Sequence, residues 1–368
     1  MTKQRLTEST APADGEPEKC QSKKDQSLWY PPLGLMKLAT FHKNRGDEVG
    51  FAIGCDESML SSPDEFNPRS LWDRIYITTL FTFHFDRVVE TIEFYKDAVG
   101  GSVGKIYVGG VMASLMPDDI YQQTGVYPIT GILNSPKQIG LPGDVNIDQL
   151  APDYDLLDSR LYAIGETYYS YATRGCVNAC PWCGVPKLEP KFAPYIDIKP
   201  VIKALRSKHG DKPILKLMDN NLVASPHLGR IVDDLVDLGY GRDCQTEEKR
   251  HRVVDFNQGL DATYLTEDRM KLLSRLNINP MRIAFDRASE EKEYVSAVTL
   301  AHRYGVRKFS NYMLYNWKDT PLDLYKRLMV NIRLNETLGK RKKSGDQKTQ
   351  IYSYPMRFAP IDESQGKG

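Results

Sequence analysis

The strongest constraint on this chain is the rhythm of its second half, where short apolar runs alternate with amphipathic stretches of helical period. Runs 168–174, 213–218, 252–256, 281–285, 306–315 and 351–354 are apolar and flanked by turn residues, so each reads as a strand. Helical periodicity fills the gaps over 198–208, 225–238, 266–276, 290–304 and 320–338. Ser225, Thr266 and Thr320 stand where an N-cap is wanted, the last followed by Pro321. Serial strand–helix units give parallel strands, and right-handed crossovers curl such strands into a barrel wall. The expectation for residues 166–360 is a partial (β/α)6 TIM-like barrel.

The first half alternates in the same way, with strands at 47–54, 73–81, 105–110 and 126–133 and helices at 33–42 and 85–99. A short helix should open at Asp118-Asp119, where acids suit the helix dipole. This pattern predicts a Rossmann-like α/β domain over 29–150, with 151–165 as a linker. Residues 1–28 are polar, lack the apolar stretch of a signal peptide, and read as a disordered tail. Residues 361–368 read as a C-terminal tail. No run approaches the ~18–20 apolar residues of a membrane span. The net charge of +1 gives no field to attract nucleic acid or an anionic membrane. Two local features bear on binding. Gly100-Gly101 and Gly109-Gly110 suit tight turns or a close approach to phosphate, and Lys340-Arg341-Lys342-Lys343 suits a solvated helix end or a nucleic-acid contact.

Three of the six cysteines, Cys176, Cys180 and Cys183, fall in one C-x-x-x-C-x-x-C run directly after the first strand of the second half. Clustered thiols without an export signal point to a reducing cytoplasm and to metal or redox chemistry. Three thiolates can hold three irons of a [4Fe–4S] cube and leave the fourth iron open to a chelating ligand. Structural zinc normally takes four ligands, and Cys244, His227 and His251 are all distant in sequence. A zinc-filled, non-catalytic scaffold remains the alternative of another class.

The segment Arg174-Gly175-Cys176 through Pro181-Trp182-Cys183, ending the first of six predicted barrel strands, resembles the signature of the radical S-adenosylmethionine (SAM) superfamily. The stretch Gly184-Val185-Pro186-Lys187-Leu188-Glu189-Pro190 and the opening Tyr30-Pro31-Pro32-Leu33-Gly34 resemble members with an N-terminal cobalamin-binding-like domain. The resemblance implies a [4Fe–4S] cluster on the three cysteines. It implies reductive cleavage of SAM to a 5′-deoxyadenosyl radical, and an electron donor such as flavodoxin or ferredoxin. Trp182 matches the position near the adenine. Asp219, Asn220 and Asn221, after the second strand, match the region that meets the SAM amino group, and Gln258 and Asp261, after the third, are candidates for the ribose. The histidine motif of cobalamin binding, D-x-H-x-x-G, is absent from the sequence. Cobalamin-dependent methyl transfer is therefore the second enzymatic reading. Neither the residues nor the resemblance names the small-molecule or peptide substrate.

Overall fold

Two parallel β systems, one in each half of the chain, carry the fold of the computed structural model, which describes residues 3–8, 29–60, 72–340 and 348–360. The chain divides into the units Met1–Gly165 and Glu166–Gly368.

In the first unit, β1 (Lys3–Glu8), β2 (Glu48–Ile53), β3 (Arg74–Thr79) and β4 (Ile106–Gly110) form one parallel sheet in the order β2-β1-β3-β4. Its helices are α1 (Leu33–Asn44), α2 (Phe85–Ala98), α3 (Val111–Leu115) and α4 (Pro117–Thr124). The period of two sends alternate side chains to opposite faces. Ile75, Ile77, Ile106 and Val108 pack with Val88, Ile92 and Tyr95 of α2. Tyr76 and Tyr107 turn the other way, toward Leu35, Leu38 and Phe41 of α1.

Two expectations need correction here. Residues 3–8, read as part of a disordered tail, form an inner strand paired on both edges; residues 9–28 lie outside the described residues. The run 126–133 is not a strand. Pro128 has no N–H to give, Gly131 has φ +75°, and one ladder-like bond, Ile129 N to Val108 O at 2.8 Å, is what joins it to β4. Residues 151–165 are tied to α1, through Thr40 Oγ1 to Ala151 O at 2.7 Å and Lys43 Nζ to Asp153 at 2.5 Å. The glycine pairs serve the backbone. Gly100 and Gly101, with φ +62° and +76°, close α2 by donating their N–H groups to Asp97 O at 3.0 Å and Lys96 O at 2.9 Å. A β-carbon on Gly110 would lie 2.3 Å from Thr79 O, so only glycine lets β4 leave the sheet beside β3.

In the second unit the strands are β5 (Thr167–Ser170), β6 (Ile214–Leu217), β7 (Val253–Phe256), β8 (Met281–Arg282), β9 (Lys308–Tyr315) and β10 (Gln350–Arg357). They form two three-stranded parallel sheets, β5-β6-β7 and β8-β9-β10. Parallel bridges Val254↔Ile278 and Leu260↔Ile283 connect the two. Between the strands run α5 (Val185–Leu188), α6 (Lys199–His209), α7 (Leu228–Leu235), α8 (Glu267–Leu273), α9 (Glu291–Arg303) and α10 (Pro321–Leu338). Thr266 caps α8, and Thr320 and Asp323 form a reciprocal box at the start of α10. Ser225 acts just ahead of α7, its hydroxyl accepting from His227 N at 3.0 Å.

One face of these strands is apolar, with Leu215, Leu217, Val254, Phe256, Met281, Phe309 and Met313 all buried. The residues between them form a polar row. Lys216 and Asp255 are register partners, as are Arg282 and Ser310. Lys216 Nζ stands 3.4 Å from Asp255. Arg282 grips Asp255 with two nitrogens at 2.9 and 3.1 Å and reaches Ser310 Oγ at 3.1 Å. Asp255 and Arg282 belong to different three-stranded sheets, so this bidentate pair joins them. Among the described residues no helix is long and apolar enough to cross a membrane.

Candidate functional site

The cysteine loop begins where β5 ends and is drawn closed at its neck. Arg174 and Ala193 form an antiparallel bridge, with N–H to O distances of 3.0 and 2.8 Å, and Ile196 N donates to Ala172 O at 2.7 Å. Gly175 has φ +73°, and a β-carbon there would lie 2.5 Å from Lys191 O. Glycine is what allows the neck to close. Glu189 bolts the same point. Its carboxylate accepts from Arg174 Nη1 at 2.9 Å, Gly175 N at 2.5 Å and Asn220 Nδ2 at 3.0 Å. The Arg174 guanidinium also lies 3.3 Å from the Tyr171 ring centre.

Asp219, expected to meet a SAM ammonium, is 4% exposed and spends its carboxylate on the strand that leads into the loop. It accepts from Ala172 N at 3.0 Å, from Thr173 N, and from Thr173 Oγ1 at 2.6 Å. Burial pushes this carboxyl up to about 6, against the pull of those bonds. Asn220 is joined to Glu189, as above. Asp261 accepts from Asn178 Nδ2 at 2.7 Å and with its other oxygen holds Thr263 N at 2.9 Å, so it pins the loop to the turn after β7. Gln258 is exposed on that same turn.

Within the loop, Cys183 N donates to Cys180 O at 3.0 Å, closing a turn over Pro181 and Trp182. Cys176 and Cys180 are partly exposed and Cys183 is exposed. The thiols feel one another. Burial raises Cys180 up to about 11, Cys183 and Cys176 add to the rise, and Arg287 opposes it. A metal binding here must displace protons. Among the described residues no three His, Cys, Asp or Glu side chains converge as on a single metal ion. A cubane's ligands sit on separate irons and need no such convergence, so the donor set of three mutually influencing thiols fits that cluster.

The ends of the later strands supply the remaining wall. Trp182 lies beneath Arg287, 5.2 Å away, and 6.2 Å from Trp317, which packs edge-on against Phe358 at 4.7 Å. Trp317 sits between Asn316 and Lys318, both in the left-handed region at φ +70° and +50°. Asp286 accepts from Leu314 N at 3.1 Å, and burial raises its carboxyl. Arg327, 1% exposed, reaches from α10 to the carbonyls of Phe285, Asp286 and Leu314 at 3.1, 2.9 and 2.7 Å. Sequence reasoning singled out neither Arg327 nor Glu189, Asn178 or Trp317. Their partners lie well away in the chain, and no local spacing announces them.

Comparison with known proteins gives a fold and little sequence likeness. No family model matches the chain, and no curated protein matches it. Among solved structures it is similar to the apo, selenomethionine-labelled form of OxsB, a cobalamin-dependent S-adenosylmethionine radical enzyme. The TM-score is 0.58 at 14% identity, over 95% of this chain and 54% of that one. The chain thus spans about half the length of that protein. A second structure, HydG, a maturase of the [FeFe]-hydrogenase, aligns with a TM-score of 0.37 at 17% identity over 62% of this chain and 52% of that one, too slight a likeness to weigh. Over nearly its whole length the chain is therefore similar in fold to part of OxsB.

Proposed function

We propose that the chain is a radical SAM enzyme whose Cys176, Cys180 and Cys183 bind a [4Fe–4S] cluster. The observation that carries the reading is the C-x-x-x-C-x-x-C run on a neck-closed loop at the carboxyl end of the first of six successive parallel strands. That is where a barrel of parallel strands keeps its chemistry, and in this reading the two three-stranded parallel sheets are the wall of an incomplete (β/α)6 barrel. The fold shared with OxsB supports it. When bound, the cluster supplies the electron that cleaves SAM to methionine and a 5′-deoxyadenosyl radical. In this reading Glu189 and Asp219 brace the loop from behind. Trp182 offers a ring surface to the adenine, and Asn220, Gln258 and Asp261 line the approach. The electron comes from a flavodoxin- or ferredoxin-type donor in the cytoplasm, and the substrate is a small molecule or peptide.

The test is anaerobic reconstitution with iron and sulfide, followed by SAM and dithionite. The expected result is about four irons and four sulfides per chain, a cubane spin signal on reduction, and 5′-deoxyadenosine. Replacing any of the three cysteines with alanine should abolish iron retention, whereas Cys55→Ala and Cys244→Ala should keep it. One zinc per chain and no spin signal would instead point to the scaffold reading. Cobalamin-dependent methyl transfer is the second reading, favoured by the cobalamin dependence of OxsB and opposed by the missing histidine motif. Visible spectra of the first unit's absorbance after cobalamin is added to the whole chain, then desalted, decide it.

A further inference from the structure

The three thiols are not held alike. Cys176 Sγ accepts from Asn178 N at 3.3 Å and from Asn221 Nδ2 at 3.7 Å, both within reach for sulfur. Asn221 stands between the end of β6 and the turn Leu222–Ala224, whose residues are all buried. Its carbonyl accepts from Ala224 N at 3.2 Å, which fixes its backbone. The side chain is itself only 3% exposed, and its Oδ1 has no hydrogen-bond partner among the described residues. An unpartnered buried oxygen costs about 1–3 kcal/mol. A leucine of similar shape would avoid that cost, so the position has a use for the amide. Turning the amide over would set oxygen against sulfur, and the N–H toward sulfur is the orientation that bonds.

Hydrogen bonds to the sulfurs are one of the levers that set the potential of an iron–sulfur cluster. A donor stabilises the more electron-rich, reduced state, and so raises the potential. We propose that Asn221 is a positioning residue for Cys176: its side-chain N–H holds that sulfur in place and raises the reduction potential of the cluster. This rests on the cluster reading above. It adds to that reading a residue from another strand, and an inequality among the three ligands.

Two measurements on Asn221→Leu and Asn221→Ser keep the two ideas separable. In metal-free protein, iodoacetamide should label Cys176 about fivefold more slowly in either variant, the equivalent of one hydrogen bond of about 1 kcal/mol, while labelling of Cys180 stays unchanged. In reconstituted protein, the midpoint potential read from the spin signal should fall in both variants while iron content holds. A thermal melt matching the parent shows that the fold is kept. If Cys176 labelling slows but no cluster forms in the parent, Asn221 keeps its role toward the thiol and the cluster reading fails. If the parent carries the cluster and neither labelling nor potential moves, Asn221 is a packing residue and this inference is overturned.

Discussion

The parallel sheet of the first unit is covered on both faces by apolar side chains, Ile75, Ile77 and Val108 on one side and Tyr76 with the α1 residues on the other. The parallel strands of the second unit are apolar on one face and carry Lys216, Asp255, Arg282 and Ser310 on the other. Parallel sheets are usually buried on both faces and read as continuous apolar runs. The sequences ILKL and VVDF break that rule at one position each. The break is tolerated because each charge finds its partner on the neighbouring strand. The first sheet is thus a scaffold through its whole thickness. The second holds a polar surface in order beneath its loop ends, which is what a site needs.

The largest test of this contrast is to move a charge from one sheet to the other. Val108 is fully buried, and Val108→Asp puts an unpaired carboxylate where no cation waits. The expected loss exceeds about 4 kcal/mol, enough to unfold the first unit. Limited proteolysis and urea unfolding would register it, and a folded Val108→Asp protein would show that the first sheet is not the closed apolar body described. Smaller, but still large, is Asp255→Ala, which leaves Lys216 and Arg282 facing each other; removing one partner of a buried pair costs about 3–5 kcal/mol. The triple change Lys216→Met, Asp255→Leu, Arg282→Met should recover most of that stability, since an apolar layer of like volume replaces a buried ion set at little cost. Failure to recover would mean that the row positions the strands as well as neutralising itself.

Much of this contrast follows from patterns short enough to see in sequence, and some of it does not. The strand runs, the Thr266 and Thr320 caps and the cysteine spacing are local, so they are legible from a few neighbouring residues. β1 is not. Its residues KQRLTE carry no apolar alternation, and its pairing on both sides comes from β2 and β3, far along the chain. The run 126–133 fails in the opposite sense, being apolar enough for a strand but interrupted by Pro128. The polar row and the braces at Glu189, Asp219 and Arg327 were beyond reach for one reason: each joins residues well apart in the chain, and such a pairing leaves no mark in either local sequence. Asp219 shows the cost. The family resemblance gave it a ligand contact, whereas its hydrogen bonds turn the carboxylate back to residues 172 and 173.

The smallest predicted effect concerns protons, and it runs in opposite directions in the two units. His42 in the first unit is fully buried between Asp47, 2.7 Å from Nδ1, and the Tyr76 hydroxyl, 3.0 Å from Nε2. Burial holds it below its ordinary 6.5, the Asp47 bond opposing and Arg74 and Arg45 assisting. The folded unit therefore takes up this proton less readily than the unfolded chain. The stability linked to His42 is complete above pH 6.5 and is lost as pH falls below it. Asp219 has the reverse linkage. Raised from 3.8 to about 6, it binds its proton more tightly when folded, so the second unit loses stability as pH climbs through that window and regains it as pH falls. Between about pH 6.5 and 4, acid should weaken α1 while it strengthens the neck of the cysteine loop. Hydrogen exchange at about pH 7 and pH 5, corrected for intrinsic rates, measures both in one experiment. Peptides from α1 should lose protection severalfold, and peptides covering 168–174 should gain it. His42→Phe should remove the first response and Asp219→Asn the second, each leaving the other in place. If both peptides lose protection together, and the two variants do not separate them, the opposition between the units is wrong and acid acts on the chain as a whole.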